Sequence, residues 1–286
     1  MSIDRVKHTA TVIGSGPRAG WILIVGNGSA DLYNPMAGTF MGGSKMVVDL
    51  SWPTATTIPT GANAGKILYA GGEDFGGATE LYDPEINAFE PGPAMNAGRW
   101  DHTATVIASG SNADKILVVG GWLANKGEGL VPLASTELYD PASNRFAPSS
   151  ATASMKVARG GHTATLIGPG ANSGKILIAG GEQDDKHFLS STELYDPATN
   201  RFEPGPPMQS PRVGHIAITI ASGPNAGKIL IAGGEGFQCD KIGCWRFSFS
   251  STEIYDPLVN RFIPGPDMRD APGDMTAVQL PASPLR

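Results

Sequence analysis

ARGGHTATLIGPGANSGKILIAGG, residues 158–181, decides the fold, because the chain writes this stretch nearly five times. Its first half, HTATLI, alternates small polar and apolar residues and reads as a half-buried strand. The second half, KILIAGG, is a continuous apolar run that reads as a strand buried on both faces. Between them GPGANSG supplies the glycine, proline and asparagine of a hairpin turn. The first half recurs as KHTATVI (7–13), WPTATTI (52–58), DHTATVI (101–107) and GHIAITI (214–220), with a partial sixth start, DMTAVQL, at 274–280. The second half recurs as WILIVGN, KILYAGG, KILVVGG and a second KILIAGG.

Each unit then continues alike. TELYDP stands at 79–84, 136–141 and 192–197, TEIYDP at 252–257 and the weaker ADLYNP at 30–35, and a phenylalanine closes each unit at Phe40, Phe89, Phe146, Phe202 or Phe262. The units thus read as four short strands, a to d. In the D-P-x-x-N-x-F turn proline fixes φ and asparagine tolerates a left-handed backbone. The anchors His8, Pro53, His102, His162, His215 and Met275 lie 45 to 60 residues apart. Self-similarity at about 50 residues is the mark of propeller blades. No segment carries a helical period.

The four hydrophobic residues before Gly-Gly, followed by a spaced aromatic (Tyr33, Tyr82, Tyr139, Tyr195, Tyr255), resemble the kelch repeat, in the bacterial form also seen in galactose-oxidase-like propellers. The resemblance covers about residues 5–280 and implies an all-β, kelch-type β-propeller. Its departures are Asn27 for the second glycine and Pro53 for the anchor histidine. The expected organisation is one domain, 1–286, of five four-stranded blades at about 5–46, 47–95, 96–155, 156–208 and 209–268, with an extra strand at 275–280. A six-bladed ring with one incomplete blade is the alternative.

Composition narrows the partners. Glycine (38) and proline (23) are abundant, yet 41% of residues are hydrophobic, which fits a turn-rich folded β protein. A net charge of −6 argues against nucleic acid or an anionic membrane as partner. No apolar run approaches the roughly 20 residues of a membrane helix. The N-terminus, MSIDRVKHTATVI, shows no secretion-signal core, so the chain as written is expected in the cytoplasm, or outside the cell if Met1 replaces a removed leader.

Loop lengths single out one face. The a–b connections are each seven residues long, whereas the b–c connections run 2, 6, 14, 10 and 17 residues. Binding loops diverge on a fixed scaffold, so the b–c side is the candidate face. Trp52, Trp100, Trp122 and Trp245 are expected there, with Trp21 at the opposite end. Such rings serve as flat platforms for a sugar or a partner side chain, or else cover the sheet ends. The motif R-x-x-H introduces strand a at Arg5/His8, Arg99/His102, Arg159/His162 and Arg212/His215, while Leu50 and Pro53 replace it in unit two. By resemblance these arginines line a channel mouth and grip an anion. The structural reading pairs them, blade to blade, with the acids of strand c: Asp31, Glu80, Glu137, Glu193 and Glu253.

Other chemistry is thinner. GANSGKI lacks the glycine, the Ser/Thr and the helix of a phosphate loop. EQDDKH places Glu182, Asp184, Asp185 and His187 in one loop, which could hold a divalent metal or simply be solvated. The two cysteines do not suffice for copper-radical chemistry of the galactose oxidase kind, nor for a four-ligand zinc site. Cys239 and Cys244 can close a small disulfide in the longest loop. The leading expectation is a non-enzymatic module without cofactor that binds a carbohydrate or protein segment, with Trp100, Trp122 and Trp245 as contact surface and Arg99, Arg159 and Arg212 as polar anchors. Glu182 and Glu235, each following a Gly-Gly, complete the candidate set. The alternatives are a sugar mutarotase or lyase using Glu182 or Glu235, and a scaffold fragment of a longer array.

Overall fold

A computed structural model of the chain describes residues 8–50, 52–72, 76–125, 129–239 and 243–271. Five four-stranded antiparallel sheets account for the five repeats. Repeat one forms β1 (Thr9–Val12), β2 (Ile22–Gly26), β3 (Ser29–Asn34) and β4 (Thr39–Lys45); repeat two forms β5 (Thr54–Thr57), β6 (Ile67–Ala70), β7 (Thr79–Asp83) and β8 (Ala88–Pro91). Repeat three inserts a hairpin, β11 (Trp122–Asn125) and β12 (Gly129–Pro132), between its second and third blade strands. Those blade strands are β9 (Thr103–Val106), β10 (Ile116–Val119), β13 (Thr136–Asp140) and β14 (Arg145–Phe146). Repeat four is β15 (Thr163–Leu166), β16 (Ile176–Ala179), β17 (Thr192–Asp196) and β18 (Arg201–Pro204). Repeat five is β19 (Ile216–Thr219), β20 (Ile229–Ala232), β23 (Thr252–Asp256) and β24 (Arg261–Pro264), with a second inserted hairpin, β21 (Glu235–Cys239) and β22 (Cys244–Ser248). The only helical element among the described residues is a 3-10 turn at Ser149–Ala151, so none is long and apolar enough to cross a membrane.

Two compact units divide the chain: Met1–Ile107 with Asn112–Ala153, holding repeats one to three, and Ser154–Arg286 with Ala108–Ser111, holding repeats four and five. Within each, the core lies between the faces of successive sheets. In the first unit Leu23, Leu32, Tyr69 and Tyr82 pack between repeats one and two, and Leu68, Leu81, Ile116, Val118 and Tyr139 between two and three. In the second, Leu177, Leu194, Ile229, Ile231 and Tyr255 do the same. Burying each large apolar side chain contributes about 1.5–3 kcal/mol, which is why the second strand of each repeat is apolar at every position.

The repeated polar residues are the joints of this packing. Tyr82, Tyr139, Tyr195 and Tyr255 each donate a phenolic hydrogen bond to the turn asparagine five residues on, at 2.9–3.0 Å. Those asparagines, Asn87, Asn144, Asn200 and Asn260, have φ of 50–55°, the left-handed backbone their amide tolerates. The glycine pair serves both neighbours. At Gly180 (φ 64°) a β-carbon would lie 2.6 Å from the Arg212 carbonyl oxygen of the next repeat, and at Gly181 a β-carbon would lie 2.6 Å from the Gly160 oxygen of its own. Only glycine fits either place.

The b–c connections read from sequence as loops of 14 and 17 residues are therefore largely hairpins. The strand expected at 275–280, together with Arg5, lies outside the described residues.

Candidate functional site

The recurring arginines are inside the sheets. Arg99, Arg159 and Arg212 are 0–1% exposed. Each donates to the carbonyl of the first glycine of its pair (Gly120, 2.8 Å; Gly180, 2.7 Å; Gly233, 2.9 Å) and to the carbonyl of a serine (Ser135, Ser191, Ser251). Each also pairs with the third-strand glutamate of its own repeat: Glu137 at 3.0 Å, Glu193 at 3.3 Å and Glu253 at 3.3 Å. Two expectations change. The pair lies within one repeat rather than from blade to blade, and the guanidiniums expected to grip a ligand are spent on the chain's own carbonyls and carboxylates. Burial pulls each arginine below its usual range, and the paired glutamate opposes it.

The histidines make the blade-to-blade link. His102 Nε2 meets Thr54 Oγ1 of the preceding repeat at 3.1 Å, and His215 Nε2 meets Thr163 Oγ1 at 3.0 Å. Burial, then the neighbouring arginine, pushes both imidazoles down to about 3, so they stay neutral.

Repeat two lacks this assembly at three points: Leu50 for arginine, Pro53 for histidine and Ala78 for serine. Glu80 remains, fully buried, and accepts hydrogen bonds from the backbone N–H groups of Val47 and Val48. Burial raises its carboxyl above the usual range, and no cation pairs with it among the described residues. The position before the anchor also differs. In repeats three to five it has left-handed φ, 51° at Asp101, 63° at Gly161 and 64° at Gly214, and in repeat two it is Trp52, also at 63°.

Immediately beyond the arginine, an antiparallel bridge joins the approach to the first strand with the residue after the glycine pair. The bridged pairs are Trp100 with Trp122, Gly160 with Glu182 and Val213 with Glu235. In repeats three, four and five the approach to the first strand and the variable connection therefore lie side by side, on one side of the sheet. In repeat three these positions are aromatic. Trp52 meets Trp100 edge-on at 5.8 Å, and Trp100 lies against Trp122 at 6.3 Å. Trp122 is 6% exposed, so it supports Trp100 more than it offers surface of its own.

In the second unit the same positions carry Glu182 and Glu235, and both reach Arg246, which belongs to no repeated motif. Arg246 donates to Glu182 (3.1 Å), Asp185 (3.3 Å) and Glu235 (3.2 Å), and its guanidinium lies 4.9 Å over the Phe188 ring. The signal was legible: GFQC and CWRF are alternating runs around a cysteine-bounded turn, which predicts a hairpin. The register pairs Phe237 with Arg246, Gln238 with Trp245 and Cys239 with Cys244. Side chains alternate, so Glu235, Phe237, Cys239, Cys244 and Arg246 share one face, while Gln238, Trp245 and Phe247 share the other. The first face meets the 182–188 connection, with Phe237 against Phe188 at 5.8 Å. On the second, Trp245 is 42% exposed. A disulfide joins Cys239 and Cys244.

The metal candidates part company. His187 Nδ1 meets the Asp184 carboxylate at 2.7 Å, and Asp184 also accepts the N–H groups of Lys186 and His187. The Lys186 N–H, then the His187 side chain, holds the Asp184 carboxyl below its usual range. Glu182 and Asp185 turn to Arg246 instead, and no group of three or more metal-ligating side chains gathers among the described residues. A groove of about 560 Å³ between β15 and β19, around Thr165 and Thr219, carries no ionisable side chain.

Comparison with known proteins agrees with this geometry. A model of the Kelch motif matches residues 163–209. No curated protein matches the chain in sequence. Among solved structures, one described as "Structure of YjhT" superposes with a TM-score of 0.69, covering 94% of this chain and 86% of that one at 13% identity. That likeness is one of fold: a kelch-type β-propeller, here with five four-stranded sheets.

Proposed function

On this kelch-type propeller fold, we propose a non-enzymatic binding module that takes a carbohydrate or a protein segment on the face of the variable b–c connections. One observation carries the reading. The two glutamates that an acid–base enzyme would need there, Glu182 and Glu235, share a single guanidinium, that of Arg246. A general base must be within reach of its substrate's proton, and here both carboxylates face the guanidinium instead. What remains offered on the hairpin is recognition chemistry: the exposed indole of Trp245, with the amide of Gln238 across the strand. An aromatic face with an adjacent amide suits a sugar ring or a peptide equally. The buried Arg99, Arg159 and Arg212 take no part in the contact.

The test is a glycan array and a peptide library probed with the purified chain. Each hit is then titrated against Trp245→Ala. A loss of about tenfold or more in affinity, ~1.4 kcal/mol, supports the reading. Chemical conversion of a hit that Glu182→Gln and Glu235→Gln abolish overturns it, as do hits insensitive to Trp245→Ala.

A further inference from the structure

We propose that the Cys239–Cys244 disulfide is a site of thiol–disulfide exchange, and that its reduction by a dithiol undocks the tip of hairpin β21–β22 from the 182–188 connection. This goes beyond the binding reading and holds whether or not a ligand is found.

Four observations converge. Both cysteines are exposed at the turn end of the hairpin, within reach of a reductant. The hairpin is a two-stranded sheet of its own, separate from the blade sheet of repeat five. Such a ribbon is marginally stable by itself. The disulfide lies on the docked face, two residues along the strands from Phe237 and from Arg246, so it fixes the register that presents both. Docking then rests on partly exposed ion pairs from Arg246 to Glu182 and Asp185, on the Arg246 guanidinium over Phe188 and on the Phe188–Phe237 contact, all individually weak. The base of the hairpin is held separately. Phe249 N–H donates to the Gly234 carbonyl at 2.9 Å, and Arg212 lies 4.4 Å over the Phe249 ring. Loss of the cross-link therefore frees the tip and leaves the blade intact. Hairpin β11–β12 has no such cross-link; it is anchored through the buried Trp122 and its bridge to Trp100.

The exchange balances simply. One thiolate of the dithiol attacks a cysteine sulfur, the S–S bond breaks, and the departing sulfur takes up a proton. The second thiolate of the reagent then displaces the mixed disulfide, releasing the other cysteine as a thiol and leaving the reagent as its cyclic disulfide. Two electrons and two protons pass to the protein.

Hydrogen exchange of the full chain, oxidised and dithiothreitol-treated, tests this. Mass analysis after alkylation confirms two free thiols. Amides of 182–188 and of the 244–248 strand should exchange about fivefold faster or more in the reduced form, the mark of local opening. Cys239→Ser/Cys244→Ser should behave as reduced without reagent. Arg246→Gln, with the disulfide intact, should accelerate 182–188 while 244–248 stays protected. Two free thiols with unchanged exchange at 182–188 overturn the proposal, and so does a disulfide that dithiothreitol leaves intact in the folded protein.

Discussion

Replacing Arg159 by methionine removes a buried cation while keeping most of its length, and the structure specifies what is left behind. Glu193, 3% exposed, keeps the N–H groups of Lys156 (2.8 Å) and Val157 (3.1 Å), and the carbonyls of Gly180 and Ser191 lose a donor. Removing one partner of a buried pair is destabilising by about 3–5 kcal/mol. At about 2–4 °C per kcal/mol for a chain of this size, thermal unfolding should fall by roughly 6–20 °C. The variant reproduces the state of Glu80, whose carboxyl is raised because burial disfavours its charge. A carboxyl whose folded pKa lies above its unfolded value stabilises at low pH, and that contribution is lost as pH rises through the folded pKa. The deficit of Arg159→Met against the native chain should thus widen between about pH 4 and about pH 7. Adding Glu193→Gln should remove the pH-dependent part and leave the part due to the two carbonyls. Differential scanning fluorimetry across that range decides it. A shift under about 2 °C, or a deficit that does not depend on pH, refutes the argument from an uncompensated buried charge.

Further outcomes follow from the same joints. Glu80→Gln should flatten the native chain's own loss of stability as pH rises, and Leu50→Arg with Ala78→Ser, which restores the arginine and serine of the other repeats beside Glu80, should do so too; both are read as melting temperature against pH. His102 and His215, held neutral by burial and by Arg99 and Arg212, should show no imidazole titration by NMR between about pH 5 and about pH 8. Because their folded pKa is depressed, their contribution is lost as pH falls below the unfolded value of about 6.5 towards 3. Gly180→Ala forces a β-carbon to within 2.6 Å of the Arg212 carbonyl at a left-handed φ. It should destabilise by more than about 1–3 kcal/mol in urea unfolding, the range set by backbone strain alone.

The candidate face shows one scaffold position put to different uses. The residue after the glycine pair is bridged to the approach of the first strand in repeats three, four and five. Its backbone surroundings are thereby the same, and its side chain is free to vary. Trp122 there builds an aromatic cluster, whereas Glu182 and Glu235 build an ion-pair cluster around Arg246. Divergence at a position with a fixed backbone is how a repeat scaffold acquires a specific surface.

Strand order, the buried second strand, the tyrosine–asparagine turn and the glycine pair were all legible in the chain, because each is a local rule repeated in four or all five of the units. Periodicity reports which face is buried, and asparagine or glycine reports a left-handed backbone, with no need to know what lies across the gap. Partnership is not local. That Arg159 answers Glu193 of its own repeat, that Trp122 is covered by Trp100, and that Arg246 gathers Glu182, Asp185 and Glu235 depend on which segments the sheets bring within about 3 Å, the reach of a hydrogen bond. Only the tertiary structure decides that distance, since charge and burial act through space rather than along the chain.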